Sequence, residues 1–410
     1  MSAGMVALIA VLTVSPCAAE SGPAKRSKMD PPGDYPHAGV GLTLPPQFQP
    51  QTLRDPLDVV RAVGPADANG DIAPIALTLS AFPVDAKVTP EAFADAMLAE
   101  LKRRGEIRKL KILNKAPIKV AGLDGTAYRL SYAFRGVKTV SVWLHFVQAS
   151  KAPLARICYF LSLDAPAERR AQLQPIFTAL VAGVRLIPLQ RPSDKTMGAL
   201  GAELTYESYG FSFRPPHSWY VGHTAQRHTG VMAVDGRLLL TKTVLHLGQT
   251  DYLSGGRRGV RSSLVLGSVP RGIDVQTYAR QSLRALVSPS EQASPTAEAP
   301  AKLAGVTGHQ YVCRPRPLRS PDPRTPADDA PGQSAFLVIR SIVVPSQTGP
   351  ARGFSLLLRC RAADANAAAA MMDRLASGFR LPTPTTRPAA EATTGRQAFP
   401  PRDESCKIPP

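Results

Sequence analysis

Val120-Ala121-Gly122-Leu123-Asp124-Gly125-Thr126-Ala127-Tyr128-Arg129-Leu130 is the stretch whose reading decides the fold, because it returns as Leu303-Ala304-Gly305-Val306-Thr307-Gly308-His309-Gln310-Tyr311-Val312. Both copies read Ala-Gly-(Leu/Val)-x-Gly-x-x-Tyr: a Gly-bearing bend, then a strand that places its Tyr on one face. The two Ala-Gly pairs, at Ala121 and Ala304, stand 183 positions apart. A repeat that long is a whole domain and not a solenoid unit.

The surroundings repeat in the same order. Val40-Gly41-Leu42-Thr43-Leu44-Pro45-Pro46-Gln47-Phe48 is echoed by Gly210-Phe211-Ser212-Phe213-Arg214-Pro215-Pro216-His217-Ser218-Trp219. Each is a short alternating strand stopped by a Pro pair, with a large ring just beyond to close the core. Ile75, Leu77 and Leu79 have the period of a strand over 72–82, with 238–247 as the expected echo. Thr89-Pro90-Glu91 is a helix start, and Phe93, Met97, Leu98 and Leu101 follow at helical spacing. The second helix runs through Val275, Tyr278, Leu283 and Leu286, with Asp274 as its cap.

Three strands follow each bend, over 125–134, 138–148 and 154–163, and over 309–314, 335–344 and 353–359. Each copy closes on a helix ending in Gly, at Gly183 and Gly378. Tyr128 and Tyr311 are expected in the core.

These elements define the expected organisation. Residues 1–19 read as a signal peptide built on the apolar run 5–14, 20–33 as a disordered spacer, 34–187 as the first domain and 188–203 as a linker. Residues 204–382 form the second domain, with disordered insertions near 287–300 and 314–333, and 383–410 a disordered tail. Cys17 at the end of the leader leaves a lipid-anchored alternative, less favoured because Pro16 stands where a small residue is expected. No other stretch is long and apolar enough to span a bilayer.

In the order of these elements the chain resembles the PsbP-like fold family, with the DcrB- and LpqN-type exported bacterial proteins. The residues that carry the likeness are the Pro-Pro-terminated opening strand, the mid-domain amphipathic helix, the Ala-Gly-x-x-Gly-x-x-Tyr strand and the closing helix. The resemblance implies an α+β fold, here two tandem domains, each an antiparallel sheet flanked by helices. It further implies members that assist, bind or scaffold without catalysing.

The chemistry is sparse. The net charge of +18 suggests an anionic partner, either an acidic membrane surface, an acidic polymer or nucleic acid, or else a diffuse basic surface. The diffuse reading is preferred here, since the densest cluster recognised, Gly255-Gly256-Arg257-Arg258-Gly259-Val260-Arg261, is short. Aromatic content of 6% argues against single-strand nucleic-acid platforms. The expected partner is therefore an unidentified envelope protein or an anionic polymer.

Four of the 7 histidines, His217, His223, His228 and His246, are weak candidates for a metal site. They match no standard spacing, and solvent-facing loop histidines are the plainer reading. No cofactor motif and no Gly-x-Ser-x-Gly, Walker or dinucleotide pattern is present, and Ser208, Ser212 and Ser218 do not make a triad by proximity alone. Asp124 aligns with Thr307, which favours a turn role over a catalytic one. Cys313 and Cys360 could oxidise in an exported protein. An intervening strand would hold them roughly 10 Å apart, beyond disulfide reach.

Overall fold

The computed structural model describes residues 33–64, 73–103, 105–149, 156–193, 195–223, 228–234, 237–254, 259–286, 291–292, 295–314, 316–317, 335–346, 350–361 and 364–382. In the first domain the elements are β1 (Asp34–Tyr35), β2 (Val40–Leu42), β3 (Gln49–Pro50), β4 (Asp58–Val63), β5 (Ala76–Val84), α1 (Pro90–Arg103), β6 (Ile107–Val120), β7 (Leu123–Phe134), β8 (Val137–Ala149), β9 (Arg156–Pro166), α2 (Arg170–Gly183) and β10 (Val184–Leu186). The second begins with β11 (Leu204–Tyr206), β12 (Phe211–Phe213), β13 (Tyr220–His223), β14 (His228–Val234), β15 (Arg237–Gln249), β16 (Val260–Val269) and α3 (Val275–Leu286). It continues through β17 (Glu291–Gln292), β18 (Pro295–Leu303), β19 (Val306–Cys313), β20 (Arg316–Pro317), β21 (Ala335–Val344), β22 (Ala351–Arg361), α4 (Ala365–Gly378) and β23 (Phe379–Arg380).

Among the described residues the two main sheets are wound identically. The first runs β3-β4-β5-β9-β8-β7-β6 and the second β13-β15-β16-β22-β21-β19-β18, with β14 also paired to β15. Neighbouring strands are antiparallel throughout. Each sheet is covered on one face by α1 or α3. The other face carries α2 or α4 with a small sheet, β1-β2-β10 or β11-β12-β23. This is the tandem α+β architecture expected from the sequence.

The quoted stretch is the tip and return strand of a hairpin. Ala121 and Gly122 have φ of 46° and 84°, Ala304 and Gly305 52° and 79°, and the flanking pairs are Val120 with Leu123 and Leu303 with Val306. Two consecutive left-handed residues make a type I′ turn, whose twist matches that of the strands. Asp124 lies just beyond this turn, in β7, and forms an ion pair with Lys119 across the hairpin.

Smaller details repeat as well. Thr89 Oγ1 accepts from Ala92 N (3.1 Å) and Asp274 Oδ1 from Thr277 N (2.7 Å), so both helices are capped as expected. A bulge interrupts the β4–β5 ladder between Asp58 and Val60, and another the β15–β16 ladder between Thr243 and Leu245. Thr43 N donates to Gly183 O (3.0 Å), and Arg214 N to Gly378 O (2.9 Å), tying each closing helix to its opening strand. Phe48 and Trp219 are both buried beside β3 and β13, and Tyr128 and Tyr311 both lie beneath the mid-domain helix.

Several expectations are corrected. The echo of β5 is β16, whereas 238–247 lies in β15, the counterpart of β4. Strand β6 was not foreseen, because its bulges break the alternation that announces a strand. Residues 295–300, read as part of a disordered insertion, belong to β18. This is a solvent-facing edge strand in which only Leu303 is buried, so proline and small polar residues are tolerated there. The linker is packed: Met197 is fully buried in the second core, and Ser218 Oγ donates to Thr196 O and Met197 O, both at 2.9 Å. Cys313 and Cys360 do flank β21, yet they also lie on opposite faces of the sheet, one in the α3 core and one in the α4 core. The leader with Cys17, the spacer up to residue 32, the insertion over 318–333 and the tail over 383–410 lie outside the described residues.

The two domains meet edge to edge. Leu53, just after β3, bridges in parallel to Tyr220 of β13, and Val221 N donates to Leu53 O at 2.7 Å. Tyr252, from the loop between β15 and β16, is inserted into the first domain's core, and Thr250 Oγ1 donates to Pro56 O. His37 is enclosed at this seam, with its ring centroid 6.5 Å from that of Tyr252 and 6.4 Å from that of Tyr35.

Three outcomes follow from this packing. Ala121→Asn and Ala304→Asn should each stabilise by about 0.5–1 kcal/mol, since Asn tolerates the left-handed conformation better; the denaturation midpoint measures it. Tyr252→Ala should cost about 3 kcal/mol and split a single unfolding transition into two, visible by calorimetry. Burial pushes the pKa of both His37 and His145 down to about 3. Depressed histidines stabilise the fold above their unfolded value near 6.5, and that contribution is lost as pH falls toward about 3. The loss is up to about 1.4 kcal/mol per pH unit for each ring. His37→Phe should flatten the acid limb of stability against pH; an unchanged limb would reject this account.

Candidate functional site

Strand β6 reads Ile107-Arg108-Lys109-Leu110-Lys111-Ile112-Leu113-Asn114-Lys115-Ala116-Pro117-Ile118-Lys119-Val120, with five cations and no acid. It is the outer edge of the first sheet, paired only to β7. Lys115 reaches Glu91 at 3.0 Å, which holds its ammonium pKa above the usual lysine value, and Lys119 is paired with Asp124. Arg108, Lys109 and Lys111 have no carboxylate partner among the described residues. Lys102 and Arg103 end α1 beside them, and Lys138 follows two strands in, opposite the Ala133 that pairs with Arg108. Basic residues thus concentrate along this edge, a cluster that the reading of the sequence did not single out.

This corner is also where apolar surface is exposed. Among the described residues the exposed large hydrophobic side chains are Ile112 (50% exposed), Leu113 (43%) and Val137 (56%). Ile112 and Leu113 sit on β6, and Val137 at the tip of the β7–β8 hairpin. Counted along the ladder at ordinary strand spacings, they span roughly 15 Å.

The backbone of this edge is closed to a further strand. The ladder is bulged between Arg108 and Lys111 and again between Ile112 and Asn114, and Lys109 has a φ of 56°. Counted back from the turn, Pro117 falls at a pair whose backbone groups face outward, where it offers no N–H. Bulges, lysines and a proline are the devices that prevent edge-to-edge pairing. Recognition here belongs to the side chains.

A second polar group lies deeper in the same domain. Tyr132 Oη donates to Asp164 at 2.9 Å, Ser80 Oγ to Asp58 at 3.0 Å, and Arg61 lies 3.5 Å from Asp58. Burial raises the pKa of both carboxyls, and Arg61 opposes this for each. Every member except Arg61 is less than a tenth exposed, so the cluster is an internal support for the sheet. At the seam, a shallow cleft lined by Gln51, Thr52, His217 and Trp219 carries no charged side chain.

The histidine candidates are dispersed. His217 is packed at the seam, its ring centroid 6.4 Å from that of Tyr35, with its pKa lowered by burial. His246 lies mid-way along β15 at the position that Arg61 occupies in β4, and its Nδ1 is 2.9 Å from Ser263 Oγ. The side chains of His223 and His228 lie outside the described residues, and among those described no three potential ligands converge. Ser212 and Ser218 are also separated: Ser212 Oγ bonds to Glu203, and Ser218 Oγ to the backbone of Thr196 and Met197.

No family model matches the chain and no curated protein matches it. Solved structures do. LpqN of Mycobacterium tuberculosis, described as involved in cell envelope biogenesis, is 15% identical over 36% of this chain and 83% of that one, with a TM-score of 0.30. Cyanobacterial PsbP from Synechocystis is 10% identical over 41% and 98%, with a TM-score of 0.28. The immunity protein TplEi of Pseudomonas aeruginosa is 12% identical over 84% and 95%, with a TM-score of 0.23. The first two each cover about one domain's length of this chain. That the unit is present in tandem rests on the matching strand orders of the two sheets.

Proposed function

We propose that this chain is a non-enzymatic binding or scaffolding protein of the bacterial envelope that holds an anionic partner at the cationic corner of its first domain. The observation that carries this reading is the coincidence of Arg108, Lys109 and Lys111, which have no carboxylate partner among the described residues, with Ile112, Leu113 and Val137 on one exposed edge. Long basic side chains with no internal partner gain most when a partner supplies the anions. The apolar run at 5–14 supports export. No helix among the described residues is long and apolar enough to cross a membrane. The packed seam supports a scaffolding role, because a partner on one domain is held at a fixed offset from the other.

The test is binding of fluorescent polyglutamate, followed by anisotropy at stepped salt. Affinity should fall steeply as salt rises. Lys109→Glu combined with Lys111→Glu should weaken binding at least about tenfold, as each lost exposed charge costs on the order of 1 kcal/mol against a polyanion. Lys302→Glu, on the equivalent edge of the second domain, should leave binding unchanged. Equal binding by the double variant and the wild type would reject the site.

A further inference from the structure

We infer that the anion met at this corner is the surface of an anionic phospholipid bilayer, on which Ile112, Leu113 and Val137 insert while the surrounding cations engage headgroups. The inference rests on the functional reading above and narrows it.

Shape is the first argument. The three exposed apolar side chains stand on an outer edge strand and at a hairpin tip, the outermost parts of the sheet, and not between packed elements. Tight protein partners bury an anchor in a complementary pocket. An outer edge and a hairpin tip present side chains to a partner without enclosing it, and a bilayer interface deforms around such a protrusion. The second argument is the closed backbone. An extended acidic peptide would bind most strongly by adding a strand, and the bulges at Arg108–Lys111 and Ile112–Asn114, together with Pro117, deny it that ladder. Charge is the third. Arg108, Lys111 and Lys138 lie along the same edge on the opposite sheet face from Ile112 and Val137, with Lys109 in the bulge between, and each cation brought within a Debye length of an anionic surface raises affinity about fivefold. The same charges repel a second copy of this corner, which removes self-association through it.

The duplicated fold supplies an internal control. The equivalent edge, β18, carries Pro295, Glu298, Pro300 and Lys302, and none of its residues is an exposed large hydrophobic. The architecture does not itself demand a basic, apolar edge, since the sister domain is built without one. The combination of cations with protruding apolar residues is the composition that binds at membrane interfaces.

The full chain should co-sediment with vesicles of phosphatidylcholine mixed with phosphatidylglycerol and not with vesicles of phosphatidylcholine alone. Lys109→Glu with Lys111→Glu should reduce that binding at least about tenfold. Ile112→Ser, Leu113→Ser and Val137→Ser together should reduce vesicle binding severalfold while leaving polyglutamate binding at the wild-type level. An environment-sensitive dye on Leu113→Cys, in a chain that also carries Cys17→Ser and Cys406→Ser, gives an independent reading, because the remaining Cys158, Cys313 and Cys360 are buried; its emission should shift to the blue on mixed vesicles. Polyglutamate binding without vesicle binding, a triple serine variant that binds vesicles like the wild type, or a dye that does not shift would each overturn the membrane assignment alone. Failure to bind either probe would overturn the functional reading with it.

Discussion

The structure depends on one close approach, repeated. Where β7 crosses β8, a Cβ on Gly125 would stand 2.7 Å from His145 O. Where β19 crosses β21, a Cβ on Gly308 would stand 2.1 Å from Ser341 O. Only glycine lets the strands run this near each other. Each glycine lies two residues beyond a type I′ turn, so the turn and the contact together lock the register of three successive strands. That register places Tyr128 opposite Trp143 and Tyr311 opposite Ile339, on the face that receives the mid-domain helix. A slip of one residue would turn both tyrosines away from their cores.

Within this shared frame the two interiors have diverged by compensation. Phe93 and Tyr278 each fall four residues after their helix caps, and each amide donates to the cap carbonyl at 3.0 Å. Under Phe93 lie Phe82, His145 and Phe160, with the Phe82 and Phe93 centroids 5.0 Å apart. Under Tyr278 the corresponding positions are Gly267, Ser341 and Ser355, and Gly353 stands where the first domain has Cys158. A Cβ on Gly353 would lie 2.2 Å from the Tyr278 ring. The larger ring on the helix is matched by smaller residues on the sheet, as dense packing requires. The first domain instead buries a histidine with no hydrogen-bond partner for either ring nitrogen, and its stability is tied to pH through that ring.

The fold was legible wherever a physical requirement leaves a mark on residue type. Positive φ and tight approach demanded glycines, helix starts demanded Thr89 and Asp274, and the closing helices ended at Gly183 and Gly378. Legibility failed where exposure relaxes those requirements. Strand β6 is solvent-facing and twice bulged, so its apolar residues fall at Ile107, Leu110, Ile112, Leu113, Ala116, Ile118 and Val120 without a steady period. Strand β18 has the composition of a loop because only its last residue is buried. The seam had no local signature at all: Tyr252, His37 and Met197 are buried by contacts far away in sequence.

The same asymmetry explains why the candidate site was hidden. Edges of a sheet are under the weakest packing constraint in the fold, and they alone can change composition without disturbing the interior. Duplication left this protein with two outer edges, β6 and β18, at the far ends of sheets joined through Leu53 and Tyr220. β18 is short, and its Glu298 and Lys302 balance in charge. β6 has fourteen residues, five cations and two exposed aliphatic side chains, with a third at the hairpin tip. Exposing aliphatic surface brings no folding stability, and lysines and bulges alone would have protected the edge. The apolar residues at Ile112, Leu113 and Val137 are thus the part of this corner that protection does not explain, and contact with something outside the chain is what gives them a physical reason.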